Sequence, residues 1–255
     1  MRLAPLLAIL ATPAFGQADS GNELSFDLGL GAQSGPAYFG SDETVIGPTG
    51  SFALDRFAFG SVVIGDGDPN GIGFKGGFRY IGERSGDDYD ELLGLNDIDA
   101  ALELGGGITY TDLPTGHGDW GTLTYAEVRY GVIGHEAWVA EIGSDLIYTP
   151  TDDLTLTLGP RLFGGTDDYA ETYFGVSPDE AASSSYDAFA ATGGVLSRGL
   201  EASASYDFNE DWGVTGTITY EEFLNDAANS PIVQQGSSDQ LNVSLVVTRS
   251  ISFNF

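Results

Sequence analysis

The sequence predicts an all-β protein and, among all-β folds, an antiparallel transmembrane barrel of the outer-membrane type. Three observations carry that expectation. Long segments alternate apolar and polar residues with a period of about two, which gives a β-strand one apolar face. Several of these segments reach about 10 residues or more, the length of a tilted membrane strand, whereas sandwich strands run nearer 5–6. Aromatic residues crowd the strand ends, as in the girdles at a membrane–water boundary. A soluble sandwich, the competing arrangement, would turn the same apolar faces inward.

The elements follow in order along the chain. Met1-Arg2 is a short positive start, Leu3 to Ala11 is almost wholly apolar, and Ala14-Phe15-Gly16 puts small residues before Gln17. This pattern predicts a secretory signal peptide over residues 1–16, with one barrel domain over 17–255. The first strand, 23–33, carries Leu24, Phe26, Leu28, Leu30 and Ala32 on one face. Strands near 44–54 and 71–82 precede 97–110, where Ile98, Ala100, Leu102, Leu104, Ile108 and Tyr110 repeat the alternation. Segment 120–132 is followed by 137–148, with Trp138, Ala140, Ile142, Leu146 and Tyr148 broken only by Ser144. Leu154, Leu156, Leu158, Pro160 and Leu162 mark 154–164. Leu200 to Phe208 and Trp212 to Tyr220 mark 199–208 and 212–224. The last strand, 240–255, alternates from Leu241 to Phe255, with Asn242, Ser244, Thr248, Ser250 and Ser252 on its other face. That polar face suits a wet lumen, and the terminal Phe255 reads as a C-terminal insertion signal for the outer membrane.

Composition narrows the function classes. The chain of 255 residues has 38 Asp and Glu against 9 Lys and Arg, a formal charge of −29, and no Cys. So acidic a chain lacks the basic footprint nucleic acid demands. The absence of Cys excludes disulfides, a thiolate nucleophile and a Cys-ligated zinc. No apolar run of about 18 residues offers a membrane-spanning helix.

Ten strands are clear, and a barrel with both ends on the periplasmic side needs an even number. A turn at Asp55-Arg56 and an outward hairpin near Gly60-Ser61 would raise the count to about 12, with 10 the alternative. The inner turns are then short, and the outward loops 34–43, 83–96, 165–198 and 225–239 are longer and more polar.

Those outward loops carry a resemblance. Pro36, Tyr38, Gly40, Ser41 and Asp42 stand as in the P-x-Y-x-G-S-D signature of the MipA/OmpV family. Gly94, Leu95, Asp97, Ile98 and Asp99 resemble that family's G-L-x-D-I-D entry into a strand. Tyr173, Phe174, Gly175, Val176 and Ser177 resemble its YFGVS stretch. Asp226, Ala227, Ser230 and Pro231 resemble its DAADSPIV, with Asn229 in place of Asp. The ending departs from the family: Phe253-Asn254-Phe255 replaces a Tyr-Arg-Phe type tripeptide. The resemblance implies an outer-membrane scaffold that holds a lytic murein transglycosylase near a murein synthase. It also covers proteins described as adhesins or porin-like, and it brings no catalytic residues.

Other chemistry is weakly signalled. Asp66-Gly67-Asp68-Pro69-Asn70-Gly71 matches half a calcium loop, but Gly77 stands where the closing Glu belongs. A tight turn explains it better. The acidic stretch 83–97 reads as a solvated loop, with divalent bridging to lipopolysaccharide the lesser alternative. His117 and His135 fall in an inner and an outer turn, and no serine neighbours His135, so no catalytic, cofactor or metal residues are assigned. Gly105-Gly106-Gly107 lies inside a strand and relieves crowding. Inward positions Asp99, Glu103, Glu127, Arg129 and Glu201 are lumen candidates, in a pore or as plugging charge pairs. Alternation puts Arg249 toward lipid, at a cost of about 2–4 kcal/mol at the midplane. A β-bulge near Val246-Val247 that turns Arg249 inward is the expected escape. The expected surroundings are outer-membrane lipid and lipopolysaccharide.

Overall fold

The computed structural model describes residues 9–10, 22–59, 62–64, 70–86 and 88–255. The strands are β1 (Ile9–Leu10), β2 (Glu23–Pro36), β3 (Thr44–Phe59), β4 (Val62–Ile64), β5 (Gly71–Ile81), β6 (Ala101–Asp112), β7 (Trp120–Ile133), β8 (Trp138–Thr151), β9 (Leu154–Gly165), β10 (Gly194–Asn209), β11 (Trp212–Phe223) and β12 (Asp239–Asn254). Among the described residues four short α-helices lie between them, α1 (Asp167–Phe174), α2 (Pro178–Ser183), α3 (Asn225–Asn229) and α4 (Pro231–Gln235), with a 3-10 turn at Asp90–Leu92.

Hydrogen bonding joins the strands in the order β1-β5-β6-β7-β8-β9-β10-β11-β12-β2-β3-β4. The first and last long strands therefore pair, with Val247 opposite Leu30 and Asn254 opposite Glu23. The sheet is strongly curled. The Arg79 guanidinium on β5 lies 5.1 Å from the Phe163 ring on β9, four strands along the sheet. Two edges face each other across a seam: β4 extends β3, and β1 extends β5 and also lies against β3.

Burial runs opposite to that of a soluble protein. Leu30 is 74% exposed and Ile72 78%, while Glu103 is 0% exposed. Leu104, Ile108, Ile142, Leu158, Leu200, Ile218, Val243 and Leu245 join the exposed apolar face. Such a surface is stable only against lipid, and the strands supply their backbone partners internally. Ser144, the break in the β8 alternation, is matched across the ladder by Thr124, their hydroxyls 2.8 Å apart. Trp120 stacks on Tyr148 at 4.5 Å and Tyr206 meets Phe208 at 5.6 Å, forming an inner aromatic girdle. Tyr130 and Trp138, 5.1 Å apart, mark the outer one. Among the described residues no helix is long and apolar enough to cross a membrane.

One expectation is corrected. Asp55 and Arg56 form no turn: β3 runs through both to Phe59, pairing with β2 at Leu54 and Arg56 and stepping over Asp55 in one irregularity of the register. Gly60-Ser61, Asp66–Pro69 and residues 1–8 and 11–16 of the expected signal peptide lie outside the described residues.

Candidate functional site

The lumen is built by alternation. On β6 the odd residues face inward, so Glu103 points into the barrel while Leu104 points to lipid. A Cβ at Gly105 would stand 2.0 Å from the Val128 carbonyl oxygen, and one at Gly107 2.2 Å from that of Ala126. These glycines let β6 and β7 approach closely on the inner face, where the charges gather.

Arg129 is the centre of that cluster. Its Nε donates to Glu103 Oε2 at 2.9 Å, and its other nitrogens meet Glu127 and Glu141. Lys75 lies 2.5 Å from Glu127 and 3.7 Å from the centre of the Tyr125 ring, whose hydroxyl donates to Glu141. Arg161 bridges Asp145 at 2.8 Å and Glu201 at 2.9 Å. Buried charges persist only when paired this way. Below them the wall is lined by hydroxyls, with Thr157 to Ser203 at 2.6 Å and Ser205 to Thr215 at 2.9 Å. One cavity of about 500 Å³ follows this wall upward from Ser205 to Phe39.

The outer mouth is covered by a folded cap. Its core joins Tyr169, Tyr173 and Phe174 of α1 to Phe163, Leu196 and Phe223 of the strands and Ala227 and Val233 of α3 and α4. A second cluster joins Ala37, Tyr38, Leu92, Leu95, Val176, Tyr186 and Ile232. Four separate outward loops contribute. Phe39 meets the Tyr173 ring at 5.2 Å, and Ser230 Oγ donates to the Phe174 carbonyl at 2.6 Å. Arg84 Nη1 donates to the Tyr173 carbonyl at 3.2 Å. Ser177 caps α2 reciprocally with Glu180, whose other oxygen accepts from the Asn96 N–H at 2.9 Å. Gly40 holds φ +89°, and a Cβ there would press on Val233 at 2.7 Å, so the first loop needs glycine to seat against α4.

The cap also sets its own ionisations. Burial pushes the Tyr38 hydroxyl up to about 12, with Glu91 adding to the effect. Burial likewise raises Tyr173 and lowers Arg84, the latter opposed by Glu180. Burial works to raise Glu180, but the Ser177 hydroxyl and the N–H groups of Asn96 and Ser177 outweigh it and hold the carboxyl low.

The sequence-assigned residues fall into three groups. Glu103, Glu127, Arg129 and Glu201 face the lumen and enter the ion-pair clusters. Asp99 does not; it is exposed in the segment before β6. The expected inward Arg249 is corrected. It is exposed on an unbroken ladder, paired with Trp212 and Leu28, with no bulge at Val246-Val247. Its guanidinium lies 5.3 Å from the Trp212 ring, so the inner girdle accommodates the charge.

The family-motif positions converge on the cap. Tyr38, Ser41, Leu95, Tyr173, Phe174, Val176, Ala227 and Ser230 are all buried there. Pro36 closes β2, Gly94 takes φ +87°, Gly175 ends α1, Ser177 caps α2 and Pro231 opens α4. Asp97 accepts from the Gly86 N–H at 3.0 Å, and Asp226 from the Thr192 N–H at 2.9 Å. Ile98 bridges Arg84, whereas Asp42 stays exposed. Phe255 is exposed, its N–H donating to the Asn22 carbonyl at 3.0 Å.

Sequence reasoning missed Lys75, Arg79, Arg84, Glu141, Asp145 and Arg161, and gave His135 a place in an outer turn but no role. Inward parity, applied to the few basic residues, would have found Lys75 and Arg79. His135 is buried in the outer hairpin, its Nδ1 accepting from the Ala137 N–H at 3.1 Å and its Nε2 3.3 Å from Glu103. Its polar and ring contacts among the described residues also include Tyr169 and Tyr173, but no serine. His117 is exposed at the inner rim, 3.2 Å from Asp152. No group of residues that could hold a metal ion is found among the described residues.

Comparison with known proteins gives one family and several folds. The family described as MltA-interacting protein MipA matches residues 28–251. No curated protein matches. An outer membrane channel from Pseudomonas putida F1 is 9% identical, with a TM-score of 0.46 over 93% of this chain and 98% of that one. The outer membrane protease OmpT from Escherichia coli is 11% identical, with a TM-score of 0.33 over 95% and 99%. OmpT of Vibrio cholerae, as a loop-deletion mutant, is 8% identical, with a TM-score of 0.37 over 91% and 100%.

Proposed function

The chain belongs to the MltA-interacting protein MipA family, and on that premise we propose that it is an outer-membrane scaffold working on the periplasmic side. In this reading the chain is exported with residues 1–16 removed, and Phe255 marks it for insertion. The cap faces outward against lipopolysaccharide, and the inner rim holds a murein transglycosylase and, beside it, a murein synthase.

One observation carries the reading: the inner turns are zipped into a single acidic platform. Gly118 N–H donates to the Thr149 carbonyl at 2.5 Å, and Thr149 Oγ1 to the Gly116 carbonyl at 3.0 Å. Asp207 N–H reaches the Asp153 carbonyl at 2.9 Å, tying in the third turn. Asp119, Asp152, Asp153, Glu210 and Asp211 crowd this rim. A fixed, negatively charged surface suits a partner with a basic face, since complementary potentials steer and orient encounter.

The test is capture of a murein transglycosylase on the immobilised, refolded protein. Reversing the platform with Asp119→Lys, Asp152→Lys and Asp211→Lys together is expected to lower retention by about tenfold or more, and added salt to act likewise. Retention that ignores both changes would sink the scaffold reading. A second reading, a small-solute channel, is favoured by the charged lumen cavity. It requires the cap to lift, and ion-selective steps in a planar bilayer would support it over the scaffold.

A further inference from the structure

Five of the nine basic residues of this acidic chain line one cavity: Lys75, Arg79, Arg84, Arg129 and Arg161. Three of them are consumed by carboxylates, as described above. Arg79 and Arg84 are different. Among the described residues neither forms an ion pair. Arg79 instead lies 5.6 Å from the Phe39 ring and 5.1 Å from the Phe163 ring. Arg84 is buried, with Nη1 on the Tyr173 carbonyl and no partner for its Nε.

The same end of the cavity holds two more orphaned groups. Tyr173 and Gln240 line the cavity, and the Tyr173 hydroxyl and Gln240 Oε1 are buried without hydrogen-bond partners. The groups are close to one another. Tyr173 touches both Phe39 and Arg84, and Gln240 Nε2 donates to the Ser41 carbonyl, two residues beyond Phe39. A buried donor left unpaired is costly. Arg84 Nε is such a donor, and among the described residues Arg79 has no carboxylate in direct contact although the chain carries 38 acidic residues.

We infer that the cap-side end of the lumen is a binding site for a small organic carboxylate. The anionic group sits on Arg79 and Arg84, with the Tyr173 hydroxyl as a further donor and Gln240 Oε1 accepting from a hydroxyl or N–H of the ligand. An organic ion fits better than an inorganic one, because the Phe39 and Phe163 rings give an apolar contact. A single charge fits better than a dianion, because Glu103, Glu221 and Glu141 lie within electrostatic reach of Arg79.

The experiment is titration of the refolded full-length mature protein in detergent micelles, read by calorimetry or saturation-transfer NMR. The probes are benzoate, its neutral analogue benzyl alcohol, and inorganic phosphate. Benzoate is expected to bind, and benzyl alcohol to bind about tenfold more weakly or not at all, as for loss of a charged hydrogen-bonding group. Arg79→Gln and Arg84→Gln should each weaken benzoate by about tenfold, and Tyr173→Phe by less. Arg84 also anchors α1, so its variant could disturb the cap. Arg79→Gln and Tyr173→Phe remove no backbone contact, and a retained heat-shifted gel band verifies their fold. Equal affinity for benzoate in folded wild type and Arg79→Gln would overturn the site, as would no benzoate binding at all. Phosphate binding in preference to benzoate would overturn the assignment to an organic monocarboxylate.

Discussion

Replacing Arg129 by Met tests whether the lumen charges hold the barrel together. The Arg129 side chain is 4% exposed and touches three carboxylates, of which Glu103 is fully buried. At an effective dielectric near 20, one such pair at roughly 3 Å attracts by about 5 kcal/mol before desolvation is counted. Methionine would leave Glu127 to Lys75 at 2.5 Å, Glu103 to the His135 imidazole at 3.3 Å, and Glu141 to the Tyr125 hydroxyl. Glu103 would then be fully buried, and Glu141 half-buried, with neither touching a guanidinium or ammonium group. Breaking a buried pair from one side costs about 3–5 kcal/mol, and that is the expected loss of stability. Adding Glu103→Gln removes the more deeply buried of the stranded charges and should restore about half of it. Urea unfolding from lipid vesicles, followed by tryptophan fluorescence, provides the measurement. Trp120, Trp138 and Trp212 all lie on the lipid-facing surface, so unfolding moves each into water. A loss below about 1 kcal/mol for Arg129→Met, or no recovery in the double variant, would refute the reasoning.

Two further outcomes are expected. Arg249→Gln loses the contact over Trp212 and should cost about 0.5–1 kcal/mol in the same assay, with no added cost in a Trp212→Leu background. Stabilisation by Arg249→Gln would mean that the lipid penalty outweighs the aromatic contact. Acid should loosen the cap before the barrel. The Ser85 hydroxyl and Gly86 N–H hold Asp97 low, the Thr192 hydroxyl and N–H hold Asp226 low, and Glu180 is held low as described. Carboxyls depressed in the fold stabilise it above their unfolded value, near pH 4, and that contribution is lost as pH falls through the folded values. Pepsin cutting within 166–193 should therefore rise on acidification below about pH 4, earlier in Glu180→Gln, while the strands stay protected. Cutting independent of pH across that window would count against the cap carboxylates.

The barrel was legible in the sequence because lipid enforces a period of two on every strand, and that signal needs no partner. Leu24 to Ala32 or Leu241 to Phe255 state their outward face by themselves. The cap motifs were legible as a pattern but not as a structure. Residues 165–198 and 225–239 read as polar loops, yet they fold into α1 to α4, helices of only five to eight residues. Helices that short take their stability from packing rather than propensity. The Ser177–Glu180 capping box fixes the start of α2.

Arg249 shows the division most clearly. Its outward direction was fixed by alternation alone, and the inward turn was expected only because the lipid penalty looked too large. What offsets that penalty is Trp212, on a neighbouring strand, and which residues stand opposite each other is set by pairing across the sheet. The turn at Asp55-Arg56 failed for the same reason, since β2 pairs with β3 on both sides of Asp55, at Leu54 and Arg56. Alternation can say that Glu103, Arg129 and Arg79 face inward. Register across β6, β7 and β8 pairs Arg129 with its three carboxylates, and only curling of the sheet could bring β5 to β9 across the lumen and leave Arg79 between two aromatic rings.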